Sequence, residues 1–212
     1  MYAILTADRH KKHLFRITEQ HFGTVRYFII RCGRKIDLNK IQRKLKKKVK
    51  AIFIPEYLQH YVIEFESIPT LFSQGFIDAI FKNSATDIIK NAHDSIYICD
   101  RDCNMPSLAE LAERHCDDVR IVGEADKWTD FCEHIYNKYG TLPQICENTG
   151  TGTVINCDER SITVDSSTAK LDRKYLNRSL PQISVPDGID LVDFTAFLAL
   201  HREFEHLYNQ SL

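Results

Sequence analysis

Asp100-Arg101-Asp102 is the segment whose residue types and spacing bear most directly on chemistry. The four residues before it, Ile96-Tyr97-Ile98-Cys99, are a continuous apolar run, as in a strand buried on both faces. Ligands of open parallel sheets sit outside the carboxyl ends of the strands, and Asp100 stands at such an end. Two carboxylates on a firm base supply the oxygen ligands that a hard cation such as Mg²⁺ requires. The same residues have a plainer use: Asp caps loops and helix starts, and Pro106 opens a helix just downstream.

An apolar strand followed by Asp-x-Asp resembles the first motif of the haloacid-dehalogenase-like phosphatases. The resemblance implies Asp100 as nucleophile and Asp102 as general acid and base, in Mg²⁺-dependent phosphoryl transfer. It spans about seven residues, and motifs that short recur by chance. Cys103 stands where that family favours Thr or Val, and no clear paired-Asp metal motif follows downstream.

A nucleotide site is the second candidate. Gly150-Thr151-Gly152 supplies Gly-x-Gly, but Ile155 occupies the place of a third glycine and the segment runs into a strand. Pyrophosphate binding needs those glycines between a strand and a helix N-terminus. At the ends of the first two C-terminal strands, a small ligand or cofactor would meet Asp100, Gly123 and Glu124.

Residues 34–50 carry nine Lys or Arg against one acid, Asp37. Phosphate contacts use such residues, so nucleic-acid binding is an alternative function. No aromatic side chain is interleaved to stack on bases, and Leu38, Ile41, Leu45 and Val49 form one apolar stripe. A solvated outer face explains the charges equally well, and specific nucleic-acid recognition is not expected. The seven cysteines include no C-x₂-C pair; only Cys99 and Cys103 have zinc-like spacing. An odd set of cysteines inside apolar runs fits a reducing compartment, and the expected location is cytoplasmic.

The elements that must position these residues follow from periodicity. Tyr2–Thr6, Leu14–Thr18 and Val25–Arg31 read as strands, then a helix from Asp37 to about Val49, then Ala51–Ile54 as a buried strand. Tyr61–Phe65 reads as a strand, and Thr70–Phe81 and Thr86–Asn91 as helical segments. From Ser95 the pattern sharpens. Strands at Ile96–Cys99, Val119–Val122 and Gln144–Cys146 start 23 to 25 residues apart. Helices of Leu108–His115 and Lys127–Tyr139 separate them, which is the length of tight βαβ units in a parallel sheet. Ser107 and Glu110 have capping-box spacing, and Asp126 is placed to cap the second helix. Val154–Cys157 and Ser161–Val164 read as a hairpin, and Asp190 opens a last helix.

The chain has 212 residues, net charge −1 and 43% hydrophobic residues. At roughly 150 residues per domain that is one large or two small globular domains. The first eight residues lack a basic lead and a long apolar core, so no secretory leader is expected; no apolar run is long enough for a membrane helix. The expected fold is α/β: a mixed α+β N-terminal unit over 1–92, then a Rossmann-like βαβαβ parallel sheet with hairpin and C-terminal helix over 93–212. The leading functional reading is a non-enzymatic regulatory or interaction module whose Rossmann-like part binds a small ligand or a protein partner, with no membrane contact. The alternatives are Mg²⁺-dependent phosphoryl transfer through Asp100 and Asp102, and nucleic-acid binding through residues 34–50.

Overall fold

A computed structural model describes residues 1–8, 15–33, 37–45, 47–59 and 68–210. In chain order the elements begin with β1 (Tyr2–Ala7), β2 (Phe15–Phe22), β3 (Val25–Cys32), α1 (Leu38–Leu45) and β4 (Ile52–Ile54). A 3-10 turn (Glu56–Leu58), β5 (Thr70–Phe72), α2 (Ser73–Asn91), β6 (Ile96–Cys99), α3 (Pro106–His115) and β7 (Val119–Val122) follow. Then come α4 (Thr129–Tyr139), β8 (Gln144–Cys146), β9 (Thr153–Asn156), β10 (Ser161–Val164), β11 (Ser167–Lys170), α5 (Arg173–Ser179) and α6 (Leu191–Gln210). The strand expected at Tyr61–Phe65 lies outside the described residues.

The chain is α/β, with two mixed, mostly parallel sheets. Backbone proximity groups it into two units: Met1–Ile77 with Leu176–Leu212, and Asp78–Tyr175. This differs from a division at residue 92, and the reason lies in where apolar faces bury. Phe194, Ala196 and Phe197 of α6 bury against Tyr2, Ile4, Tyr27, Ile29 and Phe53, so the C-terminal helix completes the first core. The two helical segments read between residues 70 and 91 are one helix, α2. Its Phe81, Ala85 and Ile89 join the second core instead.

In the first unit the strand order is β2-β3-β1-β4-β5. β2 pairs antiparallel with β3; β3, β1, β4 and β5 are mutually parallel. Side chains alternate across a strand. Ala3 and Leu5 therefore meet Ile41 and Leu45 of α1 on one face, while Tyr2 and Ile4 meet α6 on the other. Asp37 Oδ1 accepts the Lys40 N–H at 3.0 Å and opens α1 as the sequence indicated. Lys40, Arg43, Lys44, Lys47 and Lys48 are exposed, while Ile41, Leu45 and Val49 are buried. Arg34, Lys35 and Lys46 lie outside the described residues.

In the second unit the order is β11-β10-β9-β6-β7-β8. β6, β7, β8 and β9 are parallel; β10 and β11 extend the sheet antiparallel. The three expected strands are thus mutually parallel neighbours in one mixed sheet. Ile96, Ile98, Val119 and Ile121 share a core with Leu108 and Ala112 of α3, and with Phe131 and Ile135 of α4. Residues 147–152 carry the chain from β8 past β7 and β6 to β9. Gly150 and Gly152 serve this crossing. A Cβ on Gly150 would lie 2.3 Å from the Tyr97 hydroxyl, and one on Gly152 2.3 Å from the Ser95 carbonyl oxygen. The Gly-x-Gly pair therefore lets backbone pass close to the sheet. The helix starts also differ from expectation. Met105 rather than Ser107 is the N-cap of α3, and Trp128 rather than Asp126 that of α4. Glu110 instead bonds Lys138 Nζ at 2.8 Å and the Tyr139 hydroxyl at 3.0 Å.

Candidate ligand site

Each sheet contains one place where neighbouring parallel strands send their chains in opposite directions, which is where open sheets hold ligands. In the second unit the pair is β6, which leads to β7, and β9, which leads to β10. The loops after them carry the sequence candidates.

Asp100 is 0% exposed. Its Oδ1 accepts the Asn104 N–H at 2.9 Å and its Oδ2 the Met105 N–H at 2.7 Å. Its carbonyl oxygen accepts the Trp128 indole N–H at 2.9 Å, and its own N–H donates to the Val122 carbonyl at 3.1 Å. Every polar group of Asp100 is thus engaged, and its carboxylate shapes the turn into α3. That turn includes Cys103 at φ +54°. Arg101 N–H donates to Asp158 Oδ2 at 3.2 Å, and Cys157 N–H to the Cys99 carbonyl at 2.8 Å, so the two loops are tied to each other. Asp102 and Glu124 are exposed. Gly123 lies under the indole: a Cβ there would stand 2.6 Å from Trp128 Nε1 and 2.8 Å from the Asp100 carbonyl oxygen.

The loop thus separates Asp100, buried and capped, from Asp102, in solvent. A carboxylate that already accepts two backbone N–H bonds has little to offer an Mg²⁺ ion, which demands near-octahedral oxygen ligation. Among the described residues no group of three or more His, Cys, Asp or Glu side chains is placed to hold a metal. The thiols fit a packing role. Burial, with Asp158 and Cys146 nearby, pushes the Cys99 thiol up to about 11, and burial also pushes Cys157 and Cys103 up. All seven cysteines are free.

In the first unit the corresponding pair is β1, which leads toward β2 at one edge, and β4, which leads to β5 at the other. Here the crevice is open. A pocket of about 520 Å³ is lined by Thr6, Ala7 and Asp8 at the end of β1, Arg31 at the end of β3, Tyr57 beyond β4, and the Asp187-Gly188 loop before α6. Pockets of a few hundred Å³ with a few convergent polar groups are what small ligands use. One wall is fixed by a knot of hydroxyls. Thr6 Oγ1 and Tyr57 Oη lie 3.0 and 3.1 Å from the Gly188 carbonyl oxygen and 3.1 Å from each other. The Ala7 N–H donates to Tyr57 Oη at 3.2 Å. Thr6 is buried; Asp8 and Arg31 are half-buried. The Arg31 guanidinium makes no hydrogen bond or ion pair among the described residues.

Sequence reasoning passed over this site. Its one signal is Arg31 itself. Tyr27, Ile29 and Arg31 fall on the same face of β3 by alternation, and the first two bury under α6. A cation in the third inward position of such a strand is an anomaly that points to a partner.

The chain matches no protein-family model, no curated protein and no solved structure.

Proposed function

We propose that this chain is a non-enzymatic regulatory protein that binds a small anionic ligand in the crevice of its first unit, with Arg31 receiving the anionic group. The observation that carries the reading is a half-buried guanidinium, without a partner among the described residues, lining a pocket of about 520 Å³ at the reversal of strand order. Arg presents a fixed fork of donors suited to phosphate or carboxylate. The hydroxyl knot of Thr6 and Tyr57 holds the opposite wall, and Asp187 favours ligands that also carry a donor or an ammonium. In this reading the parallel strands of the second unit are a Rossmann-like scaffold without a phosphate-binding loop, and the ligand lies in the other unit. A cytoplasmic location belongs to the same reading, supported by seven free thiols.

Phosphoryl transfer through Asp100 and Asp102 draws no support from the placement of either residue. The test is calorimetric titration of the full chain with inorganic phosphate, a nucleoside monophosphate, a dicarboxylate and an amino acid. At least one should bind, and Arg31→Gln should weaken it by about tenfold or more, since charged hydrogen bonds contribute about 1.5–3 kcal/mol. Binding that Arg31→Gln leaves unchanged, or no binding across the panel, overturns the assignment. Turnover of a phosphomonoester with Mg²⁺, abolished by Asp102→Asn, would restore the enzymatic alternative.

A further inference from the structure

We infer that the anionic group received in the first unit is a phosphate monoester, and that Arg16 grips it together with Arg31. The inference rests on the ligand reading above and narrows it from anions in general to a phosphorylated small molecule. It starts from the register of the first sheet. β2 and β3 are antiparallel and place Arg16 directly opposite Arg31; β1 and β3 are parallel and place Thr6 beside Arg31 on the other side. Residues directly opposite across a sheet share a face, so Arg16, Arg31 and Thr6 form one row over three neighbouring strands. Tyr27, Ile29 and Ile4 precede them on that face and are buried in the core that α6 completes. At the row itself burial gives way: Arg31 is half-buried, and Arg16, on the edge strand, is exposed.

Side chains directly opposite on neighbouring strands have Cβ atoms about 4.5–5.5 Å apart, and like charges there destabilise the pair. Among the described residues neither guanidinium makes a hydrogen bond or an ion pair, and that includes Asp8 and Asp187 of the pocket. An anion between the two arginines turns their repulsion into attraction, and its charge decides how fully. A monocarboxylate or a phosphodiester carries one negative charge for two cations. A phosphate monoester carries about −1.5 to −2 at pH 7 and has three oxygens outside the ester link, enough for a fork from each arginine. The row also sets a direction. With the phosphate between Arg16 and Arg31, the body of the ligand extends over Thr6 toward Tyr57 and the Asp187-Gly188 loop, into the pocket of about 520 Å³. That volume is of the size that encloses a small-molecule body.

The probes are methyl phosphate, dimethyl phosphate and acetate, titrated into the isotopically labelled full chain in buffer free of phosphate and sulfate. The readout is the amide shifts of Thr6, Ala7, Arg16 and Arg31. Methyl phosphate should bind at least about tenfold tighter than dimethyl phosphate or acetate, as one further charge-assisted contact gives. Arg16→Gln should weaken methyl phosphate by about tenfold and leave acetate within about twofold. Without any anion, the same variant should unfold at a urea concentration equal to or higher than that of the natural chain, because a like-charge contact is gone. A residue that only supported the fold would lower it. The inference falls while the wider ligand reading stands if Arg31→Gln weakens every probe but methyl phosphate has no advantage, or if Arg16→Gln leaves methyl phosphate binding unchanged. If no probe moves these amides, both fall. Dimethyl phosphate binding as tightly as methyl phosphate would point to a nucleic-acid backbone in place of a phosphorylated small molecule, and also overturns the inference.

Discussion

Replacing Gly123 by alanine adds a single methyl group at a point where two mutually bonded groups already converge. The new Cβ would lie 2.6 Å from Trp128 Nε1 and 2.8 Å from the Asp100 carbonyl oxygen, and these two atoms are joined by a hydrogen bond of 2.9 Å. No real Cβ sits that close to either, so the indole or the backbone of Asp100 must move. Asp100 is held from three further sides, by Val122, Asn104 and Met105, and yields little. The indole is fully buried and packed edge-on against Phe131 at 5.0 Å. Losing its hydrogen bond strands a buried donor, at about 1–3 kcal/mol, and displacing a packed ring adds about 1–3 kcal/mol. Alanine restricts the unfolded chain and returns about 0.4–1 kcal/mol. The expected net loss is about 2–4 kcal/mol, a large share of a typical stability of about 5–15 kcal/mol. Trp128 is the single tryptophan, so its fluorescence reports urea unfolding of the second unit directly. The variant should show a lowered midpoint and a native emission maximum that has already shifted. Combining Gly123→Ala with Trp128→Phe, followed by circular dichroism, should cost less than the sum of the two single changes. An unchanged midpoint, or strict additivity, would refute the proposed clash.

Asp100→Asn should destabilise the fold by about 2–3 kcal/mol in the same assay, because an amide cannot accept both the Asn104 and Met105 N–H groups; a neutral result would free Asp100 for chemistry. Cys32, Cys99 and Cys157 should resist iodoacetamide at about pH 8 in the native state, since burial pushes Cys32 to about 12 and Cys99 to about 11, and pushes Cys157 up as well. The folded chain holds these protons when the unfolded chain begins to lose them. Stability should therefore fall as pH rises past the ordinary thiol value of 9.0, read as a denaturation midpoint under reducing conditions. Changing Lys44, Lys46, Lys47 and Lys48 together to Gln should move the midpoint by no more than about 0.5 kcal/mol, and any duplex binding should be weak and steeply salt-dependent. Sequence-selective binding lost in that variant would make residues 34–50 a nucleic-acid interface.

The second sheet was the legible part of this fold because its information is local. Ile96–Cys99, Val119–Val122 and Gln144–Cys146 are short apolar runs separated by helices with their own periodicity, and each boundary has a turn residue. The role of the C-terminal helix was not local. The broad aromatic face of α6 shows in the sequence, but its partner is β1, almost two hundred residues earlier, and no spacing rule links them. The short α5 and β11 lie in a polar stretch whose pairing depends on the β10 register. The site divides the same way. Asp100 stood out by its type and its place at a strand end, yet its use as a cap depends on where Asn104 and Met105 turn. The pocket of Thr6, Arg31, Tyr57 and Gly188 is assembled from four distant segments. Its residue types are ordinary, and only their meeting at the reversal of strand order gives them meaning.

The central claim is tested most directly by amide chemical shifts of the isotopically labelled chain, recorded as inorganic phosphate, a nucleoside monophosphate and a dicarboxylate are added in turn. The account predicts that one of them shifts the amides of Thr6, Ala7, Asp8, Arg31 and Gly188, that Arg31→Gln suppresses the shifts, and that Arg101, Asn104 and Met105 stay in place. Shifts confined to Arg101–Met105 and Asp158 would contradict it and return the ligand site to the second unit.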